Sequence, residues 1–179
     1  MGERGHVNLE KPSSFLVENI SLLPIGKALD IAMGGGRNTV YLAKHGFAVE
    51  GIDISSTAIS NAKELARKSG VIIKTEVADL EKNYKIRENV YIVIICFNYL
   101  QRSIMQQIKN GLKNGGMVVY ETYITDQLQY GQPRNLDHLL GYNELLGTFR
   151  EFRCLRYREG IIYGSKGPKA IASIIAQKC

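Results

Sequence analysis

The sequence has few cysteines, and their placement excludes a disulfide framework or a cysteine-rich metal site. Only Cys96, Cys154 and Cys179 occur among the 179 residues, an odd number spread over unrelated segments. Both kinds of site need paired or clustered cysteine spacing. We therefore expect no metal site and reduced thiols, with Cys96 buried as a small core residue and Cys179 exposed.

Long hydrophobic segments are also missing. No apolar run approaches the roughly 20 residues of a membrane span. The start of the sequence, MGERGHVNLEKP, has no apolar signal-peptide core. We therefore expect a cytoplasmic protein without membrane association. There is no repeat, low-complexity tract or linker, and the length suits one domain, which we predict to cover residues 1–179.

The net charge is +6, and the basic excess leans toward the C-terminus, where residues 150–179 contain seven basic and two acidic side chains. These residues alternate with apolar ones and form no continuous basic block. The pattern favours the solvated face of a strand over a nucleic-acid footprint.

The most informative segment is KALDIAMGGGRNTVYLAKHGFAVEGIDIS, residues 27–55. An apolar run ends in Asp30, glycines 34–36 follow, and after a helical stretch a second strand closes on Asp53. Glycine lets a ligand approach the main chain, and open parallel sheets bind ligands at the carboxyl ends of their strands. Asp53 lies where a carboxylate can accept both hydroxyls of a ribose. The segment predicts a site for a nucleoside cofactor.

The spacing also discriminates between nucleoside cofactors. Thr39 stands where the dinucleotide fingerprint G-x-G-x-x-G has its third glycine. Asp30 would place a negative charge near a pyrophosphate and repel it, whereas the same carboxylate would attract the ammonium group of a ligand. S-adenosylmethionine has an ammonium group, a ribose diol and no phosphate, so it is favoured over NAD. We expect Gly34 and Gly36 to serve backbone approach rather than core packing.

Strands that alternate with helices predict a doubly wound α/β sheet. The predicted parallel strands cover residues 27–32, 48–54, 71–77, 90–97 and 117–122. The predicted helices cover residues 12–20, 38–45, 101–112 and 142–149, with a further helix capped by Ser55. Residues 152–159 and 169–177 read as two strands with no helix between them, so they predict an antiparallel C-terminal hairpin.

The same segment resembles the class I S-adenosylmethionine-dependent methyltransferases, and within them the short tellurite-resistance TehB-like proteins. Their first motif typically reads L-D-L-A-C/P-G-x-G-R-N, followed by G-V-D-I/V-S; this sequence has LDIAMGGGRN and GIDIS. Met33 and Asn114 depart from the usual residues, and neither carries chemistry. The resemblance covers nearly the whole chain and implies the Rossmann-like methyltransferase fold, with a seven-stranded, mostly parallel sheet.

The resemblance implies that ten residues bind S-adenosylmethionine. They are Asp30, Gly34, Gly36, Arg37, Asn38, Asp53, Ile54, Asp79, Leu80 and Phe97. Asp53 would take the ribose hydroxyls, and Ile54 and Leu80 would flank the adenine. Arg37 either holds the methionine carboxylate or pairs structurally, and Asp79 either accepts from the adenine amine or caps a helix.

The acceptor side carries weaker signals. The D/N-P-P-Y/F motif of amino-methylating nucleic-acid enzymes is missing after strand four, where Asn98 is followed directly by Tyr99. We predict that Asn98, Tyr99, Tyr123 and Asn135 line the substrate pocket. Tyr99 or Glu121 is a candidate base, although each can equally be structural. Without an obvious base, an already nucleophilic acceptor such as a thiolate or a chalcogen oxyanion fits best.

We therefore predict a methyltransferase for a small molecule, acting as a monomer or weak homodimer. Residues 1–23 and the loop 126–135 would form a lid over the pocket. One alternative is an RNA or protein methyltransferase, motivated by the charge of +6. The other is a non-catalytic S-adenosylmethionine-binding protein, motivated by the missing base.

Overall fold

The computed structural model describes residues 11–82 and 84–179. The first ten residues of the predicted lid segment lie outside this range. The predicted secondary structure can be compared with the structure throughout the rest of the chain.

The described residues contain one seven-stranded sheet. Its strands are β1 Lys27–Ile31, β2 Ala48–Asp53, β3 Lys74–Val77, β4 Tyr91–Phe97, β5 Leu112–Tyr123, β6 Arg153–Gly164 and β7 Gly167–Gln177. The strand order is β3-β2-β1-β4-β5-β7-β6. The first five strands are parallel, and β7 runs antiparallel to β5 and β6. The predicted sheet with its C-terminal hairpin is confirmed.

Five α-helices are described around the sheet. They are α1 Ser14–Asn19, α2 Arg37–Lys44, α3 Ser56–Ser69, α4 Met105–Gly111 and α5 Glu144–Thr148. Within the described part of the chain, no helix combines the length and the apolar character that crossing a membrane requires. As predicted, the Ser55 hydroxyl caps α3 by accepting from the Ala58 amide at 3.2 Å.

The core has two main layers, one on each face of the sheet. Strand β4 contributes to both, with Ile94 and Cys96 in one layer and Val93 and Ile95 in the other. All four side chains are fully buried, because a central parallel strand is covered on both faces by helices. Cys96 is thus a buried core residue, and Cys179 is exposed, both as predicted.

Several predicted boundaries differ from the structure. The third strand begins at Lys74 rather than at residue 71, and the helix before the fifth strand begins at Met105 rather than at residue 101. The fifth strand begins at Leu112 rather than at residue 117, because the predicted turn lies inside the strand as a register shift: Leu112 pairs with Tyr91, and Met117 pairs with Val93. Correspondingly, the preceding helix ends one residue earlier, at Gly111. The hairpin strand β6 continues to Gly164 instead of ending at residue 159, since it pairs with β7 along its whole length.

The strand order places the candidate site. The chain order reverses between β1 and β4, which are parallel neighbours in the centre of the sheet. In open α/β sheets, ligands bind at this switch point, outside the carboxyl ends of the strands. The ends of β1, β2, β4 and β5 are the places where the sequence predicts functional side chains.

Candidate cofactor and acceptor site

The glycine loop after β1 has two glycines with different surroundings. Gly34 and Gly36 both have positive φ angles, of 54° and 81°. A Cβ atom added to Gly34 would meet nothing within 4 Å, whereas one on Gly36 would lie 2.6 Å from the Cβ atom of Ala62 on α3. Gly34 therefore faces open space that a ligand can use. The expectation that Gly36 does not serve packing is wrong, because this glycine permits close packing of the loop on α3; its binding of the cofactor stays a prediction.

Asp30, at the end of β1, is buried and already hydrogen-bonded. The residue is 2% exposed, and its Oδ2 atom accepts a 2.6 Å hydrogen bond from the Thr39 hydroxyl. Burial raises the pKa of Asp30 from 3.8 to about 7, against the opposing effects of the Thr39 hydrogen bond and the Arg37 charge. The threonine at the third-glycine position thus joins α2 to the end of β1.

Asp53, at the end of β2, fixes the glycine loop. Its Oδ2 atom accepts from the Gly34 amide at 2.8 Å, and its Oδ1 atom accepts from the Ser55 amide at 2.9 Å. A carboxylate oxygen has room for about two hydrogen bonds. Each oxygen of Asp53 therefore keeps an acceptor position for a further donor, such as one hydroxyl of a ribose.

A cleft of about 270 Å³, here called the first cleft, opens beside Asp53. Its lining includes Asp53, Ile54, Ala78, Asp79, Leu80 and Tyr99. Ile54 is 66% exposed while Leu80 is buried, so the cleft offers an apolar surface to a ring next to a carboxylate. Asp79 lies in a turn rather than at a helix start, and it accepts from the Glu81 amide at 2.9 Å.

Arg37 and Asn38, at the start of α2, contact the N-terminal segment. The Arg37 guanidinium donates to the Lys11 carbonyl at 3.1 Å. The buried Asn38 side chain accepts from the Ser13 amide at 2.9 Å. These contacts attach residues 11–13 to the glycine loop. Phe97, at the end of β4, is buried in the core layer that contains Phe15 of α1.

Glu121, near the end of β5, anchors the same segment to the sheet. It is 6% exposed, and Oε1 accepts from the Ser13 hydroxyl at 3.3 Å. Its Oε2 atom accepts from the Ser173 hydroxyl at 2.6 Å and from Arg158 at 3.3 Å. The Arg158 guanidinium also lies 4.8 Å from the ring centroid of Phe15. Both carboxylate oxygens are thus engaged, Oε1 by the residue before α1 and Oε2 by side chains of β6 and β7.

A larger cleft of about 360 Å³, the second cleft, lies at the ends of β4 and β5. Its lining residues are Asn98, Tyr99, Leu100, Thr122, Tyr123, Gln132, Pro133 and His138. It brings together three of the predicted substrate residues, Asn98, Tyr99 and Tyr123. The fourth, Asn135, is not among these residues, and its side chain accepts from the Asp137 amide at 3.0 Å.

The sequence interpretation missed Gln132 and His138 as lining residues of the second cleft. Gln132 and Pro133 belong to the predicted covering loop 126–135, and His138 lies just beyond it. A loop without periodicity gives no signal for the direction of individual side chains.

Tyr99 forms a wall that the two clefts share. Its hydroxyl donates to the Gln101 side chain at 2.6 Å, and its carbonyl accepts from the Tyr120 hydroxyl at 2.7 Å. Burial, the largest cause, raises the pKa of Tyr99 to about 12. The phenol is therefore protonated at neutral pH, which disfavours Tyr99 as the general base.

Comparison with known proteins agrees with this geometry. Residues 28–116 match the family model described as a methyltransferase domain. The chain is 26% identical over 153 residues to the probable S-adenosyl-L-methionine-dependent methyltransferase TehB of Haemophilus influenzae, covering 82% of this chain and 52% of that protein. It is 28% identical over 101 residues to the ubiquinone biosynthesis O-methyltransferase of Pectobacterium carotovorum, covering 54% and 42%.

A solved structure extends the match to the whole fold. The crystal structure of TehB from Haemophilus influenzae superposes with a TM-score of 0.79 at 22% identity, covering 93% of this chain and 62% of that one. The chain spans about half the length, or less, of these two curated relatives.

The family match and the fold identify a methyltransferase domain of the class I type. In sequence and in fold, the chain is similar to the TehB-like proteins. S-adenosylmethionine is the cofactor that this family implies. The open space at Gly34, the free acceptor positions of Asp53 and the exposed Ile54 fit its nucleoside part.

Proposed function

We propose that the protein transfers a methyl group from S-adenosylmethionine to a small-molecule acceptor. The observation that carries the proposal is the position of Tyr99, which lines both clefts. A ligand in the first cleft and a ligand in the second would meet at this side chain. Methyl transfer requires such contact between donor and acceptor, because most of its catalysis comes from proximity and alignment.

In this proposal the first cleft holds the cofactor, which supplies an activated methyl group when it is bound. Asp53 accepts the ribose hydroxyls with the acceptor positions that the Gly34 and Ser55 amides leave free. Ile54 and Leu80 flank the adenine, and Asp79 accepts from its amine. Asp30 acts through Thr39, which holds the start of α2 beside the methionine part.

The second cleft holds the acceptor. Its volume of about 360 Å³ accommodates a small molecule, and an O-methyltransferase of ubiquinone biosynthesis is among the relatives. A thiol or chalcogen acceptor fits a site whose Tyr99 phenol is protonated at neutral pH. Of the described residues that line the two clefts, none comes from the basic strand β6, which favours a small molecule over RNA.

The N-terminal segment completes the site in this proposal. Ser13 contacts Asn38 beside the glycine loop and Glu121 at the end of β5. Residues 1–23 would therefore act as a lid, within a single domain covering residues 1–179. A monomer or weak homodimer is sufficient, because each step of the proposal uses residues of one chain.

Isothermal titration calorimetry with S-adenosylhomocysteine and with NAD tests the cofactor. Wild type should bind S-adenosylhomocysteine and not NAD. Asp53→Asn should weaken this binding by about 1–3 kcal/mol, because polar groups of the ligand and the loop lose their acceptor. Glu64→Gln, which removes an exposed charge on α3, is the matched control and should bind normally. Binding of NAD instead of S-adenosylhomocysteine would refute the proposed function.

A further inference from the structure

The loop after β5 places a histidine in the second cleft. His138 ends a short 3₁₀ turn, Leu136–His138, and lines the cleft together with Asn98 and Tyr123. Asn98 directly follows β4, and Tyr123 is the last residue of β5. His138 thus faces the space in which the proposed acceptor meets the ends of the two strands.

The backbone on both sides of His138 is held by one guanidinium group. Arg102 donates through Nη1 to the Asp137 carbonyl at 3.0 Å and through Nη2 to the Leu139 carbonyl at 2.9 Å. Glu144 holds this guanidinium with two hydrogen bonds, at 2.6 Å and 2.9 Å. The two charges neutralise each other, and the pairing lowers the pKa of Glu144. The position of His138 is therefore built into the fold.

Other groups near the second cleft are poorly suited to accept a proton. The described residues that line it include three titratable side chains, Tyr99, Tyr123 and His138. A phenol is ordinarily protonated at neutral pH and so has no free site for a further proton. An imidazole ordinarily has a ring nitrogen that can accept one. Glu121 has both oxygens engaged with other side chains. The charged groups around the His138 loop include Asp126, Arg134 and Asp137 on the loop itself and the Arg102–Glu144 pair beside it.

We propose that His138 is the general base of the methyl transfer and that the acceptor is a small thiol or phenol that arrives protonated. The inference rests on the proposed function and deepens it by naming the substrate class. A lone pair on the acceptor sulfur or oxygen forms the new bond to the methyl carbon. The bond between this carbon and the sulfonium sulfur breaks, and its electron pair stays on the sulfur of S-adenosylhomocysteine. The acceptor proton moves to a ring nitrogen of His138.

The choice of acceptor follows from proton-transfer energetics. General base catalysis is efficient when the proton donor and the base have similar pKa values. Thiols and phenols lose their protons only a few pKa units above an ordinary histidine, whereas aliphatic alcohols lie far outside its range. Arg102 is a positioning residue in this scheme, because it contacts the main chain of the loop and not the ligand.

The test compares acceptors that need a base with acceptors that do not. At pH 8, benzyl mercaptan and 4-methoxyphenol are protonated, whereas 4-nitrothiophenol is ionised and 4-nitrophenol is largely so. The two thiols form one pair and the two phenols another. In whichever pair wild type methylates, His138→Gln should lower kcat at least tenfold on the protonated member and less than threefold on the ionised member. General bases typically contribute about 10²–10⁴-fold. His45→Gln, an exposed histidine on another face, is the control and should keep wild-type rates.

Three further measurements separate this inference from the proposed function. S-adenosylhomocysteine should bind to wild type and to His138→Gln with affinities within about twofold. In the complex with S-adenosylhomocysteine, 4-nitrothiophenol or 4-nitrophenol should shift the NMR signals of the His138 ring and not those of His45. The rise of the rate with pH should also flatten in His138→Gln.

The outcomes are distinct. Equal losses on both members of a pair, unshifted His138 ring signals, or no methylation of any of the four acceptors by cofactor-loaded wild type would overturn the role of His138 or the acceptor class. Failure of wild type to bind S-adenosylhomocysteine would refute the proposed function itself. Methylation of only the thiol pair or only the phenol pair identifies the acceptor atom and supports the inference.

Discussion

The two clefts share Tyr99, but they are built by different kinds of contact. At the first cleft, Asp53 bonds to the amides of Ser55, two residues away, and Gly34, 19 residues away. At the second cleft, Arg102 bonds to the Leu139 carbonyl across 37 residues and to Glu144 across 42. The Asp53 side of the first cleft therefore depends on one local strand-loop-helix-strand motif. The second depends on the tertiary fold that brings distant segments together.

The largest expected effect concerns the packing of the glycine loop on α3 at Gly36. Gly36→Ala should lower the free energy of unfolding by about 3 kcal/mol, because its Cβ atom would overlap that of Ala62 and its φ angle is left-handed. Urea unfolding measures the loss. Gly34→Ala carries only the backbone strain and should cost about 1 kcal/mol.

The double variant Gly36→Ala/Ala62→Gly separates the two causes. It removes the overlapping atom on α3. Its loss in the free energy of unfolding should therefore be smaller than the sum of the losses in Gly36→Ala and Ala62→Gly. Purely additive effects would show that Gly36 and Ala62 do not interact, and the tight packing of the loop on α3 would be refuted.

The buried Asp30 predicts a pH dependence of stability. Its pKa is about 7 in the folded state and 3.8 ordinarily, so the folded state retains a proton that the unfolded state has released. Stability contributed by Asp30 is therefore lost as the pH rises toward 7. Relative to wild type, Asp30→Asn should gain about 2–3 kcal/mol between pH 5 and pH 8, at 1.36 kcal/mol per pKa unit. Glu64→Gln should show no such trend.

Urea unfolding at several pH values measures this difference. A free-energy difference between Asp30→Asn and wild type that stays constant from pH 5 to pH 8 would mean that Asp30 titrates normally. Its burial beside Thr39 would then not control its protonation.

The contrast explains what the sequence could predict. Asp53 and the glycine loop were predictable because strand ends, glycines and carboxylates follow one another at fixed spacing. Gly36 was misinterpreted, because its neighbour Ala62 lies on α3 and only packing reveals the 2.6 Å approach. His138 was missed for a similar reason, since its direction is set by the distant Arg102.

The smallest expected effect concerns the contact between the N-terminal segment and the start of α2. Asn38→Ala leaves the Ser13 amide without its acceptor, which should cost about 1 kcal/mol. Hydrogen exchange of residues 13–20 should become faster, while Asn38→Asp, which keeps an acceptor oxygen, should stay close to wild type. Unchanged exchange in Asn38→Ala would mean that the N-terminal segment is held independently of the glycine loop.

Chemical-shift mapping of the isotopically labelled protein tests the division into two clefts most directly. S-adenosylhomocysteine should first shift the amide signals of Gly34, Asp53, Ile54 and Leu80 and leave that of His138 nearly unchanged. Subsequent addition of 4-nitrothiophenol or 4-nitrophenol should shift the signals of Asn98, Tyr123 and His138. Tyr99 should respond to both ligands. If S-adenosylhomocysteine shifted the second-cleft residues and left Asp53 and Ile54 unaffected, the assignment of the cofactor to the first cleft would be contradicted.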